Sequence, residues 1–106
     1  MIVDISGRAE PKGDKYCIAF RADTDALSMT ESNSDLPHKS KNQGAAHMCG
    51  HDGHTACLVG FVPILMNKID QIPSNKSVRL LFQPSEEGPG QGARFMIQKG
   101  CLEGVD

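Results

Sequence analysis

The chain has 106 residues, enough for one ordinary domain and too few for two. Its 39% hydrophobic and 23% charged residues, with a net charge of −2, describe a globular protein with no basic footprint for nucleic acid or an anionic membrane. The longest apolar run, around Leu58 to Met66, falls well short of the roughly 20 residues of a membrane span.

In chain order, Ile2-Val3-Asp4-Ile5 and Tyr16-Cys17-Ile18-Ala19-Phe20 are short β-prone runs. Turn residues from Gly7 to Asp14 separate them, which predicts a β-hairpin or two neighbouring strands. Residues 1–15 carry Asp4, Arg8, Glu10, Lys12 and Asp14 and no apolar signal region. The segment from Asp23 to Ala46 is polar, with Pro37 and Gly44 as breakers, and a loop of that length usually serves a function. From Gly53 to about Lys68, Cys57, Leu58, Phe61, Val62, Leu65 and Ile69 recur at helical spacing, with Pro63 expected to kink or split the helix. Ser77 to Phe82 reads as a buried central strand, flanked by the Tyr16 to Arg21 strand and stopped by Pro84. A second helix is predicted over about Gln91 to Gln98, ended by Gly100. Strands alternating with helices argue an α/β fold: a partial mixed sheet with flanking helices.

Three clusters carry chemistry. His47-Met48-Cys49-Gly50-His51-Asp52-Gly53-His54 holds three imidazoles, a thiol and a carboxylate within eight residues, a donor set suited to zinc, with the imidazoles and carboxylate also suited to manganese. Gly50 lets the backbone turn tightly enough for Cys49 and His51 to face one ion. Glu86 and Glu87 follow the buried strand directly, where two like charges call for a cation. Adjacent side chains diverge, so one glutamate can ligate metal while the other serves as general base. Asp23 and Asp25 lie on one face of a strand end, placed to support such a site. The four cysteines have no C-x-x-C spacing and read as reduced thiols of a cytoplasmic protein.

These segments, R-A-D-x-D-A-L, S-K-N-x-G, H-x-C-G-H-D-G-H-T-A, V-R-L-x-F-Q-P-x-E-E-G and G-x-L-x-G-V-D, resemble the M20 metallopeptidase family in its amidohydrolase subgroup of aminoacylases, hippurate hydrolases and auxin-conjugate hydrolases. The resemblance runs nearly continuously from Arg21 to Asp106. It implies hydrolysis of N-acyl amino acids or small peptides at a centre of two divalent metal ions, zinc or manganese. By the same resemblance Cys49, His51 and Glu87 are metal ligands, Glu86 is the general base and Asp25 is an acidic residue that orients a ligand. His54 and Asp52 match supporting or helix-start positions.

Members of the family are longer. The resemblance therefore implies a truncated piece, residues 1–106, of a two-metal aminopeptidase-like catalytic domain, without the N-terminal helical region, the lid or dimerisation domain and the C-terminal half. The isolated chain is expected to be inactive, and a homodimer is expected only where the lid is present. Three alternatives stand beside this reading. One is a small structural zinc module built from His47, Cys49, His51 and His54, and another is a cysteine hydrolase with Cys49 as nucleophile. The third is a non-catalytic remnant.

Overall fold

The computed structural model describes residues 1–106. It contains β1 (Ile2–Ser6), β2 (Tyr16–Asp23), α1 (His51–Met66), a 3₁₀ turn (Ile69–Gln71), β3 (Lys76–Gln83) and α2 (Gly92–Gln98). The sheet has the order β1-β3-β2, with β1 antiparallel and β2 parallel to β3. This is the α/β arrangement expected, with β3 at the centre.

β3 takes the middle because Leu80 and Phe82 on one face and Leu81 on the other need a layer on each side, and its two edges need a neighbour each. Leu80 and Leu81 are both buried. On one face Leu80, Phe82 and Ala22 pack against Leu58 of α1, joined by Phe61, Val62, Val3, Ile5 and Val78. On the other, Leu81 packs against Met96 of α2 and Cys101, joined by Ala19.

The expected hairpin, or neighbouring pair, of β1 and β2 does not form, because β3 lies between them. After β1 the chain docks on the segment before β3: Gly7 donates to Lys76 O at 3.0 Å, Arg8 to Ile69 O at 3.1 Å and Ala9 to Ile72 O at 2.9 Å. A Cβ on Gly7 would stand 2.2 Å from Ile72 O, so this docking requires glycine. The connection thus crosses the end of β3 instead of folding back on β1.

α1 begins at His51, two residues before the expected Gly53, and Pro63 does not split it. Pro63 is exposed, so the carbonyl one turn earlier can turn to water, and the helix closes with Asn67 donating to Pro63 O at 3.0 Å. α2 ends in a Schellman motif: Gly100, at φ +78°, donates to Ile97 O, and Cys101 donates to Met96 O. The Met96–Cys101 contact in the core is the apolar partner of that motif. No helix is long and apolar enough to cross a membrane.

Arg79 ties the layers together. From the centre of β3 it donates to both carboxylate oxygens of its register partner Asp4, at 2.7 and 2.9 Å, and to the carbonyls of Cys101 and Glu103. The Arg79 hydrogen bonds, against a smaller opposing effect of burial, hold the Asp4 carboxyl below its ordinary value. A lowered carboxyl stabilises the fold above the ordinary carboxylate range and loses that contribution as pH falls through the lowered folded value. Asp4 is half exposed, so the contribution is expected to be about 0.5 kcal/mol. Urea melts at neutral and acid pH check this: Asp4→Asn should lie below the parent at neutral pH and converge with it in acid.

Candidate metal centre

Because β2 and β3 are parallel, their carboxyl ends, Asp23 and Gln83, meet at one edge of the sheet. Thr24 seals that edge by donating from both its backbone N–H and its hydroxyl to Gln83 O. The long loop after β2 is pinned by reciprocal backbone bonds between Leu27 and Ala46, at 3.0 and 3.1 Å, which return residues 47–50 to the same edge. Gly50 then turns at φ +106° into α1 with open space around it. Its role is conformational: a left-handed residue there swings Cys49 and His51 toward each other.

The other side of the site is set by the turn after β3. Ser85 adopts φ +52°, uncommon for a residue with a side chain. Gly92 donates to Ser85 O at 3.0 Å, and a Cβ on Gly92 would fall 1.5 Å from Pro84 O. This closed turn carries Glu86 and Glu87 back over the sheet edge.

His51 is the centre of the constellation and is 4% exposed. Its Nδ1 lies 3.0 Å from Asp25 O, and since a carbonyl only accepts, Nδ1 carries the proton and Nε2 is left facing the acids. Nε2 is 3.7 Å from Asp23 Oδ2, 3.6 Å from Glu86 Oε2 and 3.8 Å from Glu87 Oε1. Ligand atoms of Cys49, His51 and Glu87 lie within 4.8 Å of one another, and so do those of Asp23, His51 and Glu86. The adjacent glutamates do not point to opposite sides: the turn at Ser85 and two long side chains let both approach one imidazole nitrogen.

Asp25 braces both halves of the site. Its backbone carbonyl fixes His51, its Oδ2 accepts the Glu87 N–H at 2.9 Å, and its Oδ1 is buried without a hydrogen-bond partner. Burial alone would raise the Asp25 carboxyl, but the backbone N–H groups of Glu87 and Glu86 outweigh it and hold the carboxyl low. Asp23 is held low chiefly by His54, whose Nδ1 lies 2.7 Å from Asp23 Oδ1. For His51, burial opposes the charged form, but the Asp25 carbonyl and the acids Asp23, Asp25 and Glu86 prevail and raise it. The Cys49 thiol is raised by its hydrogen bond to Glu87 and by that residue's charge.

Four carboxylates around one imidazole, with a thiol beside them and an unpartnered buried oxygen, form a donor set that fits a divalent cation. An imidazole nitrogen facing acids, with its other nitrogen tied to a carbonyl, has the usual arrangement of a metal-binding histidine. A raised thiol is the opposite of what a cysteine nucleophile needs. His47 and His54 fall in neither group of converging donors, whereas Glu87 does. Residue spacing missed the coupling of Asp23 to His54. The available signal was that His54 follows His51 by three positions and so shares its helix face.

The profile of Peptidase family M20/M25/M40 matches residues 19–106. The N-acetyl-L-cysteine deacetylase of Bacillus subtilis (strain 168) is 43% identical over all 106 residues, which correspond to 24% of its length. The N-acyl-L-amino acid amidohydrolase of Geobacillus stearothermophilus is 46% identical over 89 residues, 84% of this chain and 23% of that protein. Among solved structures, the Bacillus subtilis YXEP protein, described as a dinuclear metal-binding peptidase from the M20 family, superposes with a TM-score of 0.84 at 41% identity. That superposition covers 99% of this chain and 27% of the YXEP chain. The chain thus spans about a quarter of the length of the relatives it matches.

Proposed function

Because this chain belongs to Peptidase family M20/M25/M40, we propose that its converging acids, thiol and imidazole are the ligand side of a metal-dependent amidohydrolase acting on N-acyl amino acids or small peptides. The observation that carries the reading is the convergence of Cys49, His51 and Glu87 on one position beside Glu86. The names of the deacetylase and amidohydrolase relatives support an N-acyl amino acid substrate, and the dinuclear binding named for YXEP supports two divalent cations.

Cys49, His51 and Glu87 would hold the cation, and zinc suits the thiol, imidazole and carboxylate set, with manganese the other expected ion. Bound there, a divalent cation polarises the amide carbonyl and acidifies water. Glu86 is the group assigned to accept the proton of the attacking water and return it to the leaving amine as the C–N bond breaks. It suits that task because it is the more exposed of the two glutamates, with a side chain 43% accessible against 28% for Glu87. Asp25 keeps His51 in the Nδ1–H tautomer and Glu87 in place. The thiol content keeps the cytoplasm as the proposed compartment, and no nucleic-acid or membrane partner is proposed.

Two cations with about four ligands each need more donors than converge here, so the 106 residues alone are expected to bind fewer than two ions tightly and to show no turnover. The test is zinc stoichiometry by calorimetry, together with hydrolysis of an N-acetyl or N-benzoyl amino acid with zinc or manganese supplied. Loss of zinc binding in Cys49→Ser and His51→Gln is the expected result. Zinc binding unchanged in both variants would overturn the ligand assignment. Robust turnover by the chain, abolished by Glu86→Gln, would overturn the expectation of inactivity.

A further inference from the structure

We infer that His54 is a positioning residue of this centre, acting through Asp23 on His51; the inference rests on the proposed cation site. His54 and His51 sit one turn apart on α1 with their rings stacked, centroids 5.8 Å apart and planes 26° apart. Below them lies Asp23, the last residue of β2 and 5% exposed. Its Oδ1 accepts the Nδ1–H of His54 at 2.7 Å, and its Oδ2 lies 3.2 Å from the Arg21 guanidinium and 3.7 Å from His51 Nε2. Thr55 fastens the same residue by donating its hydroxyl to Asp23 O at 3.0 Å.

The consequence concerns competition for one atom. His51 Nε2 is the nitrogen that faces the converging donors, and Asp23 is a carboxylate close enough to capture it. While His54 and Arg21 hold the two oxygens of Asp23, the carboxylate stays beyond hydrogen-bond distance of Nε2. Without the His54 donor, Oδ1 would lose its side-chain partner, and the carboxylate would be free to rotate toward Nε2. A displaced Asp23 carboxylate would crowd the space that Nε2 faces and disturb the placing of His51 among the converging donors. His54 therefore keeps the ligand nitrogen free without touching the cation. Its own ring is 60% exposed, so it contributes little to the core.

The experiment is calorimetric titration of the full chain with zinc alone, comparing the parent with His54→Ala, His54→Asn, Asp23→Asn and the double variant His54→Ala/Asp23→Asn. Asparagine places an amide donor close to where Nδ1 stands, and alanine places none. His54→Ala is expected to bind zinc about 10–100-fold more weakly, as loss of a partner that orients a ligand does. His54→Asn should stay within about threefold of the parent. The double variant should be no weaker than the weaker single variant, because both changes break one connection.

Zinc affinity unchanged in His54→Ala, an asparagine variant as weak as the alanine one, or losses that multiply in the double variant would each overturn the inference. Metal-free melting curves guard against a folding defect, and a shift of only a few degrees is expected at so exposed a side chain. If His54→Ala loses its melting transition, His54→Gln replaces it. Glutamine carries its amide out to the Nε2 position, away from Asp23, and should bind as weakly as expected of alanine; a glutamine variant that binds like the parent overturns the inference. A parent that binds no zinc would sink the proposed centre itself, whereas a binding parent with an unaffected His54→Ala sinks only this inference.

Discussion

Replacing Glu86 with glutamine is expected to lower hydrolysis by about 10²–10⁴-fold while leaving cation binding intact. The change keeps the shape of the side chain and removes only its capacity to take a proton. Glu87→Gln should behave differently, losing cation and activity together, because Glu87 converges with Cys49 and His51 on the proposed cation position. The two residues are neighbours in sequence and both lie within 4 Å of His51 Nε2, so their roles separate only by experiment. The measurement is hydrolysis of an N-acyl amino acid, with bound metal quantified in parallel, in a chimera carrying these 106 residues in place of the matching quarter of the Bacillus subtilis deacetylase. Metal lost from Glu86→Gln to the same extent as from Glu87→Gln would show that Glu86 is a ligand. The proximity of Asp23, His51 and Glu86 makes that the competing outcome.

Gly92→Ala is expected to be the most damaging conservative change in the chain. Its new Cβ would stand 1.5 Å from Pro84 O and 3.1 Å from Ser85 O, both backbone atoms that cannot rotate away. The turn must open, breaking the Gly92 N–H bond to Ser85 O and displacing Glu86 and Glu87 with it. Overpacking of this kind is expected to cost about 3 kcal/mol or more. For a domain of this size that lowers the melting temperature by on the order of 15 °C, and zinc affinity should fall in the same variant. Gly60→Ala is the control, since its Cβ would meet nothing within 4 Å and the helix should gain up to about 1 kcal/mol. A Gly92→Ala protein that melts with the parent would mean that the turn after β3 is not held in this conformation.

Much of the site was legible before any coordinates because its donors come in short runs. Cys49 and His51 are separated by one glycine, Glu86 and Glu87 are adjacent, and Asp25 follows two residues after Asp23, the last residue of β2. Side chains so close in sequence can hardly avoid sharing a neighbourhood, so spacing and ligand chemistry sufficed to nominate them. Val78 to Phe82 was legible as a central strand because Leu80 and Phe82 on one face and Leu81 on the other must both be covered. Gly100 was legible as a helix stop because the left-handed position after a helix favours glycine.

The sequence by itself therefore determined the α/β class, the central strand and the residues able to hold a cation. Tertiary structure alone decided that β1 pairs with β3 and not with β2, where α1 begins and how the donors are oriented. β1 and β2 were read as neighbours because they are close in the chain, but strand pairing depends on which edge the most apolar strand leaves to be covered, and β3 lies more than 50 residues beyond β2. The helix was read as starting at Gly53, where the apolar spacing begins, yet the left-handed turn at Gly50 lets it start two residues sooner, with Asp52 in its first turn where a negative charge is favoured. The link from His54 through Asp23 to His51 joins residues 31 and 28 positions apart in the chain, by way of a helix, a strand end and a loop. No local pattern encodes such a contact; it exists because parallel β2 and β3 bring their carboxyl ends to the edge where α1 begins.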